Sequence, residues 1–189
     1  MSTGGGKSRY AVAAVGTDRP GIVAAVTGVL VESGCNLADT AMTILGGCFA
    51  MMLVVESDAG SAGSSLEEAL APVAADLGLI VMVRPITDDD PGPASPGPVD
   101  TRRCTASVYG ADHPGIVHGV AEFLAAQGVN IIDLTTRVVG AAANPVYAMV
   151  LELDLPAGVD PDRLGAEMEV LAAGLGVSAS LHPSEADIL

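Results

Sequence analysis

Two short runs hold the residues best suited to meet a small charged molecule. They are Gly16-Thr17-Asp18-Arg19-Pro20-Gly21-Ile22-Val23 and, 94 positions later, Gly110-Ala111-Asp112-His113-Pro114-Gly115-Ile116-Val117. In each, a carboxylate and a Pro-Gly pair stand at the start of an apolar, helix-like pattern. A helix N-terminus presents N–H groups with no intrahelical partner and a partial positive charge, which suit a carboxylate. A glycine at that point removes the Cβ that would hold a ligand off the backbone. Asp18 or Asp112 can accept from those N–H groups or pair with an ammonium group. A corner with both properties suits a zwitterion. The same residues also make a sound helix start without any ligand, with a carboxylate at the positive end and Pro at the first helical position.

The elements that must position these corners follow from periodicity. Cys104, Ala106 and Val108 alternate with Thr105, Ser107 and Tyr109, which predicts a strand with one polar face. Its counterpart, Tyr10 to Val15, is apolar on both faces, which predicts that its open face is covered. Ile22, Val26 and Leu30, and then Ile116, Val120 and Leu124, fall at helical spacing. Gly34 and Gly128 suit the left-handed position that ends a helix. Asn36 and Asn130 open a second strand, and Gly46-Gly47 closes a tight hairpin onto a third. Ser65-Leu66-Glu67-Glu68 predicts a capped second helix, with Pro72 kinking it, and Asp160-Pro161 predicts the matching helix start. A last strand follows Gly78 and Gly176. Each half therefore reads βαββαβ, an α+β plan of a four-stranded antiparallel sheet with two helices on one face.

A repeat of this length means two copies of one domain. We place the first at 9–86 and the second at 102–183. A Pro/Gly/Asp-rich linker spans 87–101, a disordered leader 1–8 and a tail 184–189. The second copy carries an insert at 141–145. The net charge of −15, with 8 Lys and Arg in 189 residues, argues against direct binding of nucleic acid or an anionic membrane. No apolar run is long enough to span a bilayer, and no secretory signal precedes the first copy. Cys35, Cys48 and Cys104 have unrelated spacings, so neither disulfide framework nor metal site is expected. His113 and His118 stand five apart, a poor match for a shared metal. No catalytic constellation, phosphate loop or cofactor motif is present, so we expect no catalytic residues and no cofactor. A reduced cytoplasm fits, and exposed sheet edges predict a homodimer.

The motif Gly-x-Asp-[Arg/His]-Pro-Gly-Ile-Val, followed by a helix ending in Gly-x-Asn-[Leu/Ile]-x-Asp, resembles the ACT domain, and it occurs twice. A two-domain chain with nothing further resembles the glycine cleavage system transcriptional repressor group in particular. The resemblance implies two ferredoxin-like ACT domains and a non-enzymatic regulator. It implies an amino-acid effector, plausibly glycine, and a protein partner such as a transcription factor or metabolic enzyme. In ACT domains the ligand commonly sits between two domains, near this turn of one and the second strand of the other. That carries over to Asp18, Pro20, Gly21, Ile22 and Asn36, and to Asp112, His113, Pro114, Gly115, Ile116 and Asn130. Arg19 against His113, and the longer second hairpin, imply two unequal sites. The alternatives are a purely structural oligomerisation module or a regulatory subunit of an enzyme.

Overall fold

In a computed structural model of the chain, residues 8–57, 63–87, 101–139 and 145–184 are described. Residues 1–7 of the expected leader, and nearly all of the linker, hairpin insert and tail, lie outside them, whereas Ser8, expected to end the disordered leader, opens the first strand. The chain divides into two compact units, Met1–Gly92 and Pro93–Leu189. The first runs β1 (Ser8–Thr17), α1 (Ile22–Glu32), β2 (Cys35–Leu45), β3 (Cys48–Ser57), α2 (Gly63–Leu77) and β4 (Leu79–Ile86). The second repeats the order as β5 (Arg102–Gly110), α3 (Ile116–Ala126), β6 (Asn130–Val139), β7 (Val146–Leu155), α4 (Pro161–Gly174) and β8 (Val177–Pro183). The sheets are antiparallel, in the orders β2-β3-β1-β4 and β6-β7-β5-β8. This is the βαββαβ plan expected from the sequence.

Each core lies between one sheet face and its two helices. Tyr10, Val12 and Ala14 of β1 point inward onto Ile22, Val26 and Leu30 of α1, with Leu66 and Leu70 of α2 beside them. The second unit uses the corresponding positions: Cys104, Ala106 and Val108 with Ile116, Val120 and Leu124, then Leu164 and Met168. Two of these exchanges compensate. Where β1 has Val12 then Ala14, β5 has Ala106 then Val108, so the inward-facing volume along the strand is conserved.

The local punctuation agrees with the sequence at several points and corrects it at others. Gly34 and Gly128 end their helices with φ of 70° in both cases, and Gly46 and Gly47 are both left-handed, as a two-residue hairpin turn requires. Asp160 caps α4 by accepting from the Asp162 N–H at 3.0 Å, with Pro161 behind it. Pro20 and Pro114, however, do not open their helices. The turns occupy Pro20-Gly21 and Pro114-Gly115, and helix begins one residue later. Likewise α2 starts at Gly63, so Ser65 lies inside its first turn rather than capping it. Pro72 sits within α2 on the solvent side, where its missing N–H leaves the Glu68 carbonyl to water while the helix continues.

Close approach fixes one further position in each unit. A Cβ on Gly16 would lie 2.7 Å from Leu79 Cδ2 and 2.9 Å from the Gly78 carbonyl oxygen. One on Gly110 would lie 2.5 Å from Val177 Cγ1 and 2.9 Å from Val177 Cα. Backbone cannot move aside as a flexible side chain can. We expect Gly16→Ala and Gly110→Ala each to cost about 1–3 kcal/mol in urea denaturation. Gly28→Ala is the control. It lies inside α1 with nothing within 4 Å of its added Cβ, and should gain about 0.5–1 kcal/mol.

Candidate functional site

The strand-to-helix corner is built by a left-handed glycine. Gly21 has φ 96° and ψ −11°, and Gly115 φ 101° and ψ −10°, the geometry of the third residue of a type II turn with Pro before it. A non-glycine residue there meets backbone strain, although an added Cβ would touch nothing within 4 Å at either position. The space in front of both turns is therefore open. The first helical bonds run from Ala25 N–H to the Gly21 carbonyl and from Gly119 N–H to the Gly115 carbonyl, each at 2.9 Å. Neither helix start receives a side-chain cap. Asp18 and Asp112 thus do not accept from the helix N–H groups, one of the two roles open to them in the sequence. Asp18 is instead tied through its backbone N–H to the Gly47 carbonyl of the hairpin, at 3.1 Å.

The second corner is the more elaborate. Asp112, His113, Pro114, Gly115, Ile116, Val117, His118 and Tyr147 line an open depression of about 470 Å³. Tyr147 occupies the position of the buried Phe49 in the first unit and adds a hydroxyl, which donates to Met149 Sδ at 3.6 Å. Burial first, and the Asp112 carboxylate second, push the Tyr147 phenol above its ordinary pKa. The sequence already held the signal for this residue, a phenol replacing a phenyl ring at a duplicated position.

His113 is engaged elsewhere. Its Nε2–H donates to the Leu175 carbonyl at 2.6 Å, and its Nδ1 lies 3.0 Å from the Pro114 carbonyl oxygen. Leu175 is the residue that ends α4. In the first unit the Arg19 guanidinium lies 3.7 Å from where a Cβ on Gly78 would be, just past the end of α2. Both residues therefore reach from the corner to the C-terminal end of the second helix, where the carbonyls lack intrahelical partners and favour a cation.

The other expected positions divide by location. Ile22 and Ile116 are core side chains, 1% and 2% exposed, so only their backbone N–H groups can face the corner. Asn36 and Asn130 lie at the far end of their own sheets. Asn36 pairs with Glu56, which pairs with Arg9, seven residues before Gly16 along β1, about 23 Å away. Asn130 pairs with Asp154, which pairs with Arg103, seven residues before Gly110. No single unit brings its asparagine to its own corner. Both β2 and β6 bulge just beyond these residues, between Leu37 and Asp39 and between Ile131 and Asp133, which turns the strand there. His118 is exposed beside Glu122, 3.9 Å away, and no group able to hold a metal ion occurs among the described residues.

The coupling of Tyr147 to Asp112 is measurable. Because the folded-state pKa of Tyr147 is raised, its contribution to stability is complete below the unfolded phenol value of about 10 and is lost as pH rises through the folded value. Tyr147→Phe should flatten the fall in stability seen by denaturation above about pH 10. Asp112→Asn should move one tyrosine of three to a lower pKa in an alkaline absorbance titration.

Comparison with known proteins places this geometry. The ACT domain family model matches residues 10–84. A UPF0237 protein of Methanopyrus kandleri is 38% identical over 78 residues, 41% of this chain and 87% of that one. The glycine cleavage system transcriptional repressor of Escherichia coli is 25% identical over 173 residues, 90% of this chain and 87% of its own. A crystal structure of an unknown protein from Galdieria sulphuraria superposes with a TM-score of 0.77 at 27% identity, covering 95% of this chain and all of that one. The second unit carries the same motif, element order and core positions as the first. The chain belongs to the ACT-domain family, in a tandem form.

Proposed function

We infer that the protein is a non-enzymatic sensor that binds a free amino acid, plausibly glycine, at its Asp-x-Pro-Gly corners and thereby alters its hold on a protein partner. The observation that carries this reading is the pair of uncapped helix starts at Gly21 and Gly115, each facing open space with a carboxylate three residues upstream. The free N–H groups match a ligand carboxylate, and Asp18 or Asp112 matches its ammonium group. The Asp112 corner is the stronger of the two, because it has a lined depression and a phenol beside the carboxylate.

Similarity to the E. coli glycine cleavage repressor supports glycine as the first ligand to test and a transcription regulator or metabolic enzyme as the partner. Regulation would follow from the ligand favouring one arrangement of the chain over another, since only differential affinity shifts such an equilibrium. The net charge of −15 favours a protein partner over direct nucleic-acid contact. No helix among the described residues is long and apolar enough to cross a membrane. We place the protein in the cytoplasm, as a homodimer.

A thermal-shift and calorimetric panel of the twenty amino acids tests the ligand directly. A true ligand at ten times its Kd should stabilise the fold by about 1.4 kcal/mol, several degrees in Tm. Asp112→Asn should abolish that response while leaving the unliganded Tm within about 2 °C, as expected for an exposed side chain. If no amino acid shifts the transition at millimolar concentration, the sensor reading fails and a purely oligomerising module takes its place.

A further inference from the structure

The two sheets differ most on the face turned away from their helices. Cross-strand partners share a face, so the outer surface of the first sheet can be read in rows from β2 to β4. One row is Ala41, Met52, Ala13, Met82, and the next is Thr43, Ala50, Val15, Ile80. Met52, Met82 and Ile80 are 58%, 57% and 77% exposed. The corresponding rows of the second sheet read Thr135, Val150, Ser107, Ser180 and Arg137, Ala148, Tyr109, Ser178. Serines thus replace the large apolar Met82 and Ile80, Thr135 and Ser107 replace alanines, and Arg137 replaces Thr43, so the second outer face suits water better than the first.

We propose that the outer face of the first sheet packs against the same face of a second copy of this chain, about a two-fold axis parallel to the strands. Face-to-face sheets keep their strands roughly aligned, and such an axis reverses the order of each row. Small-large-small-large then meets large-small-large-small. Met52 lies over Ala13 of the partner copy, Met82 over Ala41, Val15 over Ala50 and Ile80 over Thr43. The charged rows obey the same operation. Asp39, Val54, Ala11 and Arg84 form the next row, and Asn36, Glu56, Arg9 and Ile86 the one beyond. Reversal sets Arg84 over Asp39 and Arg9 over Glu56. Two acids and two arginines leave this face without net charge, whereas the chain as a whole carries −15 and repels its own copies.

The outer face of the second unit is a poorer complement. The same reversal would set Met52 against Ser107 and Ile80 against Arg137, which would strip water from polar groups without giving them partners. Size points to a modest dimer. Four strands about 4.8 Å apart and four rows about 6.8 Å apart give about 500 Å² per copy, near the lower bound of specific interfaces and consistent with a micromolar Kd. Such pairing presupposes the homodimer proposed above and is independent of any ligand at the Asp112 corner.

Sedimentation equilibrium on the full chain tests it. The wild type should be a dimer that dissociates at micromolar concentration. Met82→Glu, which sets a charge opposite Ala41, should raise Kd at least 100-fold. Ser180→Glu, the matching site on the second sheet with the same added charge, should leave it within twofold. Asp39→Arg and Arg84→Asp should each weaken the dimer at least tenfold, and the double variant should restore it. Circular dichroism confirms that each variant folds, and the charge-swap set decides the matter if Met82→Glu does not. A dimer indifferent to Met82→Glu and to the charge swaps would overturn this interface while leaving the homodimer intact. A wild type that stays monomeric to 100 µM (on the order of a hundred times a micromolar Kd) would overturn both.

Discussion

Each unit depends on a left-handed glycine between its first strand and first helix. With φ near +100° at Gly21 and Gly115, the chain leaves the sheet and enters the helix within a single turn. That entry sets the phase of the helix. Ile22, Val26 and Leu30 meet the sheet only because the helix begins at residue 22, and the same holds for Ile116, Val120 and Leu124. The corner left in front of the turn is a by-product of the same geometry. Fold and candidate site therefore share one constraint, and a residue with a Cβ at either glycine strains both.

A second constraint operates on the other side of the corner. Gly16 and Gly110 let the end of the first strand run against the start of the last one with no room for a methyl group. Arg19 and His113 then bridge from the turn to the end of the second helix. The corner is thus held from three directions: the strand below, the helix ahead and the helix end beside it. This fixes where its N–H groups point without any capping side chain, so they remain available. His113 illustrates how one residue type admits two readings. In the sequence it stands in a ligand motif, yet in the structure both ring nitrogens face backbone carbonyls.

Much of this architecture was legible in the residues. The order of elements, the duplicated core and the polar outer face of β5 followed from periodicity, which reports burial directly. Helix ends at Gly34 and Gly128 and the Asp160 cap were legible because they need particular side chains or φ values. The helix starts were misplaced by two residues at Pro20 and Pro114 and by three at Ser65. Pro fits both the first helical position and the second residue of a type II turn, and only the following glycine's φ separates the two. Tyr147 escaped because its neighbourhood is assembled from β7 and a corner 35 positions earlier in the sequence, at Asp112. The place of Asn36 and Asn130 was hidden for a related reason. Sequence proximity to a helix end says nothing about which end of the sheet the next strand begins from, and β2 starts opposite the corner that α1 leaves.

The exchange of Val12-Ala14 for Ala106-Val108 has a consequence for how such a gene can change. Tandem repeats recombine with one another and tend to be drawn back toward a common sequence. A crossover between codons 12 and 14, or between 106 and 108, would leave one strand with two alanines and the other with two valines. The first would open a cavity and the second would crowd a closed interior, so neither product packs as well as its parent. The two positions therefore act as one unit: exchanging either residue alone costs packing, whereas exchanging both together preserves it.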